Sequence, residues 1–363
     1  MFLNMFANRD FYRIFADNSN PTMQKRDNSF DLIRVVACFM VVLIHSPLSG
    51  AAASGPLLTA MSYFLAPCIG LFMMLSGALL LPVKTDYVTF VRRRVGKILI
   101  PTLLWTAVYL AIKSLVFHVR YDWVRTILSL PLSTQGTGVL WFMYTLTGLY
   151  LLAPILSAWL ERARRRDIEI VLGLWGVTLC YPYLSLWLSV DTSHEGILYY
   201  FSGYVGYFIL GYYLRRYPSP ALAWPALAVG LGGAALLGYC RTHGIEADFY
   251  TMFWHLSIFV AALTVAYWIG LRRLWGSREC DWFRRIGRLT FGVYFTHIII
   301  MRYWLWHIPF IRAIDCYPLQ TLVIGVVTFL LSLALTWMLS RLPFGQYLVG
   351  VSSRKKIADP LGR

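Results

Sequence analysis

The chain has 363 residues, 58% of them apolar and only 14% charged, with net charge +16 and mean hydropathy +0.59. Soluble domains carry about 25% charged residues, so these charges are too few to cover a soluble enzyme, and no ordinary soluble domain fits beside the apolar runs. The positive balance suits basic loops that orient membrane helices. Six scattered cysteines without a C-x-x-C pattern argue against a zinc or redox motif.

Residues 1–26 read as an N-terminal cytoplasmic tail. Ten apolar runs of near-spanning length (about 20 residues) follow, at 31–50, 57–81, 98–117, 138–160, 168–189, 197–214, 221–239, 250–270, 289–306 and 320–340. They fall in one transmembrane domain, 27–345, which ends in a basic C-terminal cytoplasmic tail, 346–363. With the N-terminus inside, only Lys113, Arg120, Arg125, Arg241, Arg302 and Arg312 lie on or near the outer side, and every other Lys and Arg falls inside. The sequence predicts an all-α polytopic membrane protein with about ten transmembrane helices and both termini cytoplasmic.

Ionisable residues within apolar runs are functional candidates. The first run offers Asp31, Arg34 and His45. Asp31 and Arg34 share a helix face. Arg34 and His45 are eleven apart, so they point the same way with roughly 16 Å of rise between them. The structural alternative is an arginine snorkelling to headgroups and a histidine bonding a neighbouring helix. If both act on one ligand, that ligand is long, anionic at the Arg34 end and reactive at the His45 end. Tyr294 and His297, three apart, share a face, where a structural hydrogen bond is the rival to catalytic duty. His255 lies near the outer end of the eighth run. Trp141 and Trp254 could stack on a sugar, against the reading of an interfacial belt. Asp191, His194 and Glu195 could help seat a sugar acceptor, though a charged loop is by default solvated.

Phe30-Asp31-Leu32-Ile33-Arg34 through His45-Ser46 resembles the signature of the acyltransferase-3 family, integral membrane O-acyltransferases whose first helix carries Arg-x10-His after an Asp-x-x-Arg start. Further segments agree in order: Gly70 to Gly77, Phe90 to Pro101, Leu140 to Tyr144 followed by Tyr150 to Pro154, Gly203 to Gly211, and Gly287 to His297. The likeness covers about residues 27–340 and is nearest to stand-alone enzymes that O-acetylate surface polysaccharides. Three departures stand out. Lys97 replaces the second arginine of an Arg-x-x-Arg entrance that begins at Arg94, keeping charge but losing the forked donors. Val139 stands where a histidine often precedes Leu-Trp, and Thr290 replaces a serine.

The resemblance implies a cytoplasmic acetyl-CoA donor with no permanently bound cofactor and no metal. It also implies a surface or lipid-linked glycan acceptor, no nucleic-acid partner, and a place in the bacterial inner membrane. It assigns Arg34, Arg93, Arg94 and Lys97 to the CoA phosphates and His45 to catalysis with Arg34. His45 serves as general base or forms an acyl-histidine intermediate. Ser76, Trp141, Tyr144, Tyr294 and His297 are candidate oxyanion or acceptor contacts. The competing function is a secondary transporter with His45 as a proton relay, although no internal repeat is visible.

Overall fold

The computed structural model describes residues 27–48, 55–134, 138–188, 196–245, 247–275, 278 and 280–350. Among these there is no strand, and each apolar run carries a helix. The first half contains α1 (Ser29–His45), α2 (Pro56–Leu65), α3 (Pro67–Leu80), α4 (Tyr87–Leu115), α5 (Trp123–Ser129), α6 (Trp141–Leu160), α7 (Arg165–Thr178) and α8 (Tyr181–Leu188). The second contains α9 (Val205–Arg216), α10 (Ala223–Thr242), α11 (Phe249–Met252), α12 (Ile258–Trp275), α13 (Asp281–Tyr303), α14 (Pro309–Arg312), α15 (Tyr317–Arg341) and α16 (Gly345–Val349).

Among the described residues, six stretches are long and apolar enough to cross a membrane: Pro56–Leu80, Tyr87–Leu115, Gly138–Leu160, Pro220–Thr242, Ile258–Trp275 and Tyr317–Arg341. The other runs differ from simple spans for local reasons. Helix α1 stops after 17 residues and α9 after 12. The run at 168–189 is divided between α7 and α8. Helix α13 carries Arg288, His297 and Arg302 within it. The chain is thus an all-helical membrane protein. The tail before Asp27, the loop residues Asp191, His194 and Glu195, and the chain after Gly350 lie outside the described residues. The first residues of the expected C-terminal tail form α16, whose Leu348 carbonyl accepts the indole N–H of Trp105 at 2.8 Å.

Breaks and starts follow from the sequence. Pro67 lacks an N–H and cannot continue the ladder of α2, so the 57–81 run turns at Ala66 and restarts as α3. Helix α4 begins earlier than its apolar run because Asp86 caps it, accepting the Thr89 N–H at 2.9 Å. That bond holds the Asp86 carboxyl below the usual carboxylate range. The arginine run 92–94 is therefore wound onto a helix, where successive residues fan out by about 100°, and all three arginines are exposed.

Packing centres on α1 and α3. Helix α1 contacts α3, α12, α13 and α15, and α3 lies along α9. The α3–α9 crossing is a backbone contact made by glycines from both sides. A Cβ on Gly77 would sit 1.8 Å from the Phe208 carbonyl oxygen, and one on Gly211 would sit 1.9 Å from that of Met74. Small residues permit such approach where lipid gives helices no hydrophobic drive to associate.

Gly77→Ala or Gly211→Ala should therefore destabilise the detergent-purified protein by about 1–3 kcal/mol, the usual cost of overpacking. Gly148→Ala, whose Cβ would meet nothing within 4 Å, should leave the unfolding midpoint unchanged. Thermal unfolding of the three variants checks this; equal midpoints would contradict the crossing.

Candidate functional site

Helix α1 runs unbroken from Ser29 to His45, so the eleven-residue interval from Arg34 to His45 is a true helical rise of roughly 16 Å. The two ends meet different surroundings. At the His45 end lies a cavity of about 240 Å³. It is built largely from helix termini: Val41, Ile44 and His45 end α1, Cys68 and Ile69 begin α3, Val139 lies in the turn before α6, and Trp141 and Phe142 begin α6. Tyr204 precedes α9, Trp254 and His255 precede α12, and Tyr294 comes from within α13. The Pro67 corner and a turn at Gly203, with φ +86°, bring two of these starts to the cavity. A side chain at Gly203 would be strained, and its carbonyl is held by the Trp175 indole N–H at 2.9 Å.

Three imidazoles converge here. His45 Nδ1 lies 2.7 Å from the Val41 carbonyl oxygen, His255 Nδ1 lies 2.8 Å from that of Ala66, and His297 Nδ1 lies 2.7 Å from that of Tyr294. A carbonyl only accepts, so in each ring Nδ1 carries and donates the proton, and Nε2 is the basic atom of the neutral ring. The His45 and His297 rings meet edge to face at 5.4 Å. His297 is buried, and its Nε2 has no hydrogen-bond partner among the described residues. Arg302, one turn beyond, acts electrostatically on both rings, while its guanidinium lies over Trp306 at 5.4 Å.

The sequence candidates sort by position. Trp141 and Tyr294 line the cavity with His45, and His297 touches His45. Ser76 and Tyr144 are not among the lining residues. Several candidate proton donors are already committed. The Tyr294 hydroxyl donates to the Val139 carbonyl at 2.6 Å and the Tyr144 hydroxyl to that of Leu130 at 2.7 Å. Neutral His297 presents its bare nitrogen rather than an N–H. Trp141 lines the cavity with an indole N–H that donates to no backbone carbonyl among the described residues. His255 and Tyr204 are wall residues that sequence reasoning did not place there. Their only signals were a tyrosine inside the sixth apolar run and a histidine near the outer end of the eighth.

At the other end, Arg34 pairs with Asp31 at 3.1 Å, with 28% of the arginine side chain and 6% of the aspartate exposed. Arg34 and Arg94 both lie near the half-buried Tyr150. Arg93 acts on Asp86 instead. Lys97 is half-buried. The same end holds Arg272, which pairs with Asp27 at 3.0 Å and lies over Phe30 at 5.4 Å. Arg215 lies over the same ring at 5.8 Å. One helix therefore joins a cationic end to a cavity walled by neutral imidazoles and aromatic rings.

A family model described as an acyltransferase domain, that of the acyltransferase-3 family, matches residues 27–341. No curated protein matches, and no solved structure matches.

The Asp31–Arg34 pair makes a separable prediction. Breaking a buried pair by removing one partner costs about 3–5 kcal/mol, less where a side chain is partly exposed, as Arg34 is. Arg34→Ala should lower the unfolding midpoint, and adding Asp31→Asn should restore part of it. Strictly additive losses in the double variant would contradict the coupling.

Proposed function

The chain belongs to the acyltransferase-3 family, and on that premise we propose that it is an O-acyltransferase. It moves an acetyl group from cytoplasmic acetyl-CoA to a hydroxyl of a surface or lipid-linked polysaccharide sugar, in a bacterial inner membrane. The observation that carries this reading is the neutral His45 imidazole. Its Nδ1 proton is anchored on Val41, and the residue lines a cavity one helix length from the cationic end.

The donor has the shape that α1 requires: phosphates at one end, a long arm, and a thioester at the other. Arg34 and Arg94, which flank Tyr150, take the phosphate end, with Arg93 and Lys97 nearby on α4. Forked guanidinium donors suit phosphate oxygens. The acetyl group then reaches the cavity.

His45 Nε2 accepts the proton of the acceptor hydroxyl as its oxygen bonds to the thioester carbonyl carbon. The tetrahedral oxygen needs a donor, and the Trp141 indole N–H is the candidate at the wall. Collapse breaks the carbon–sulfur bond. The imidazolium returns its proton to the departing CoA thiolate, leaving a sugar ester, CoA thiol and a neutral ring. Anchoring Nδ1 on a carbonyl keeps Nε2 the atom that faces this chemistry through the cycle.

In isolated membranes given radiolabelled acetyl-CoA, His45→Ala should lose transfer by about 10²–10⁴-fold, the usual weight of a general base, while acetyl-CoA binding persists. Transfer at the parental rate would remove the base, and solute movement without any acetyl ester would favour a transporter. Arg94→Ala should weaken acetyl-CoA binding more than Arg93→Ala, because Arg94 shares its surroundings with Arg34; equilibrium binding of labelled acetyl-CoA decides, and the reverse order would contradict the donor site.

A further inference from the structure

One part of the cavity lining is a continuous band of rings. Tyr204 lies 5.5 Å from Trp141, Trp141 lies 6.1 Å from His255, and His255 lies 4.6 Å from Trp254. These rings face inward, unlike Trp224, Trp282, Trp304 and Trp337, which are exposed on the outside of the bundle. His255 is buried and tied to Ala66 through Nδ1, so its Nε2 is a fixed acceptor on the aromatic band. Among the described residues, no Lys, Arg, Asp or Glu lines the cavity. Its about 240 Å³ is less than the about 300–1,000 Å³ of pockets that hold drug-sized ligands.

We infer that Trp254, His255 and Tyr204, with the face of Trp141, form an acceptor subsite for a single uncharged sugar ring. This rests on the acyltransferase reading and adds to it the class of sugar and the residues that select it. A pyranose has an apolar C–H face that packs on aromatic rings and a rim of hydroxyls that donate to imidazole nitrogens. Two bare nitrogens, on His45 and His255, provide for two such hydroxyls: the reacting one goes to His45, and a neighbour docks on His255. A uronate or phosphorylated ring would bring an anion against a lining in which no described residue is Lys or Arg, and burying an unpaired charge is costly. The subsite therefore selects against charged rings, and His255 sets which hydroxyl reaches His45.

The test needs no chemistry. Full-length protein, in a detergent without a sugar headgroup, is titrated with methyl glycosides of glucose, galactose and rhamnose, and with methyl glucuronide, under saturation-transfer NMR. Ring C–H signals should appear for at least one neutral glycoside and be weaker by about tenfold, equivalent to 1.4 kcal/mol, for the glucuronide. Trp254→Ala and His255→Asn should each lower the neutral signal by a similar factor while acetyl-CoA binding is kept. Equal saturation by the glucuronide, none from any neutral glycoside, or variants that keep the signal would overturn the subsite. If Trp254→Ala also loses acetyl-CoA binding, Trp254→Phe must restore both, and failure to do so counts against it. The His45→Ala protein separates this from the reaction itself. Retained acetyl transfer there removes the base assignment, whereas the glycoside signal reports on the subsite alone.

Discussion

Backbone carbonyls only accept hydrogen bonds, and three of them set the protonation pattern of the site. Val41, Ala66 and Tyr294 each accept a hydrogen bond from a histidine Nδ1–H, which leaves Nε2 the basic atom of each neutral ring. In hydrocarbon an unsatisfied polar group is expensive, so each ring meets that demand with one nitrogen, and His45 and His255 line the cavity. A histidine with both nitrogens satisfied by protein would be a packing element. One with neither anchored would be free to choose its tautomer and orientation.

The architecture is consistent with this use. His45 and His297 bond carbonyls of their own helices, four and three residues back, whereas His255 reaches across to Ala66 at the corner between α2 and α3. Pro67 creates that corner, and Ala66 within it holds His255 from the segment between α11 and α12, far along the chain. The glycine crossing of α3 on α9 draws the two helices together at their backbones and so carries both the Ala66 corner and the Tyr204 turn on a rigid pair. The Tyr207 hydroxyl, on α9, donates to the His255 carbonyl at 2.7 Å, locking the third element to them. Chemistry at one end thus depends on close packing several turns away.

Much of this was legible in the residues. Helix periodicity put Arg34 and His45 on one face, and α1 realises that spacing without a break. The Asp31–Arg34 pair follows from the same arithmetic. Charge alternation also marked the basic stretches, but apolar length alone put the start of the third run at Ile98. The Asp86 cap winds Arg92, Arg93 and Arg94 onto α4, so they fan apart rather than acting as one patch. What could not be read was contact between elements distant in sequence. His255 and Ala66 are separated by 189 positions, and nothing in either local sequence says that one accepts from the other. The same holds for hydroxyls that looked available: Tyr144 and Tyr294 read as donors until their carbonyl partners were seen.

The central claim is that one helix delivers a thioester from its cationic end to the His45 imidazole. Its most direct test is a structure of the full-length protein with acetyl-CoA bound. The account predicts phosphates against Arg34 and Arg94, and the acetyl group inside the cavity. A hydroxyl hydrogen-bonded to His45 Nε2 should then have room to stand about 3–3.5 Å from the acetyl carbonyl carbon. Phosphates bound at the Arg302 end, or an acetyl group lying outside the cavity, would contradict it.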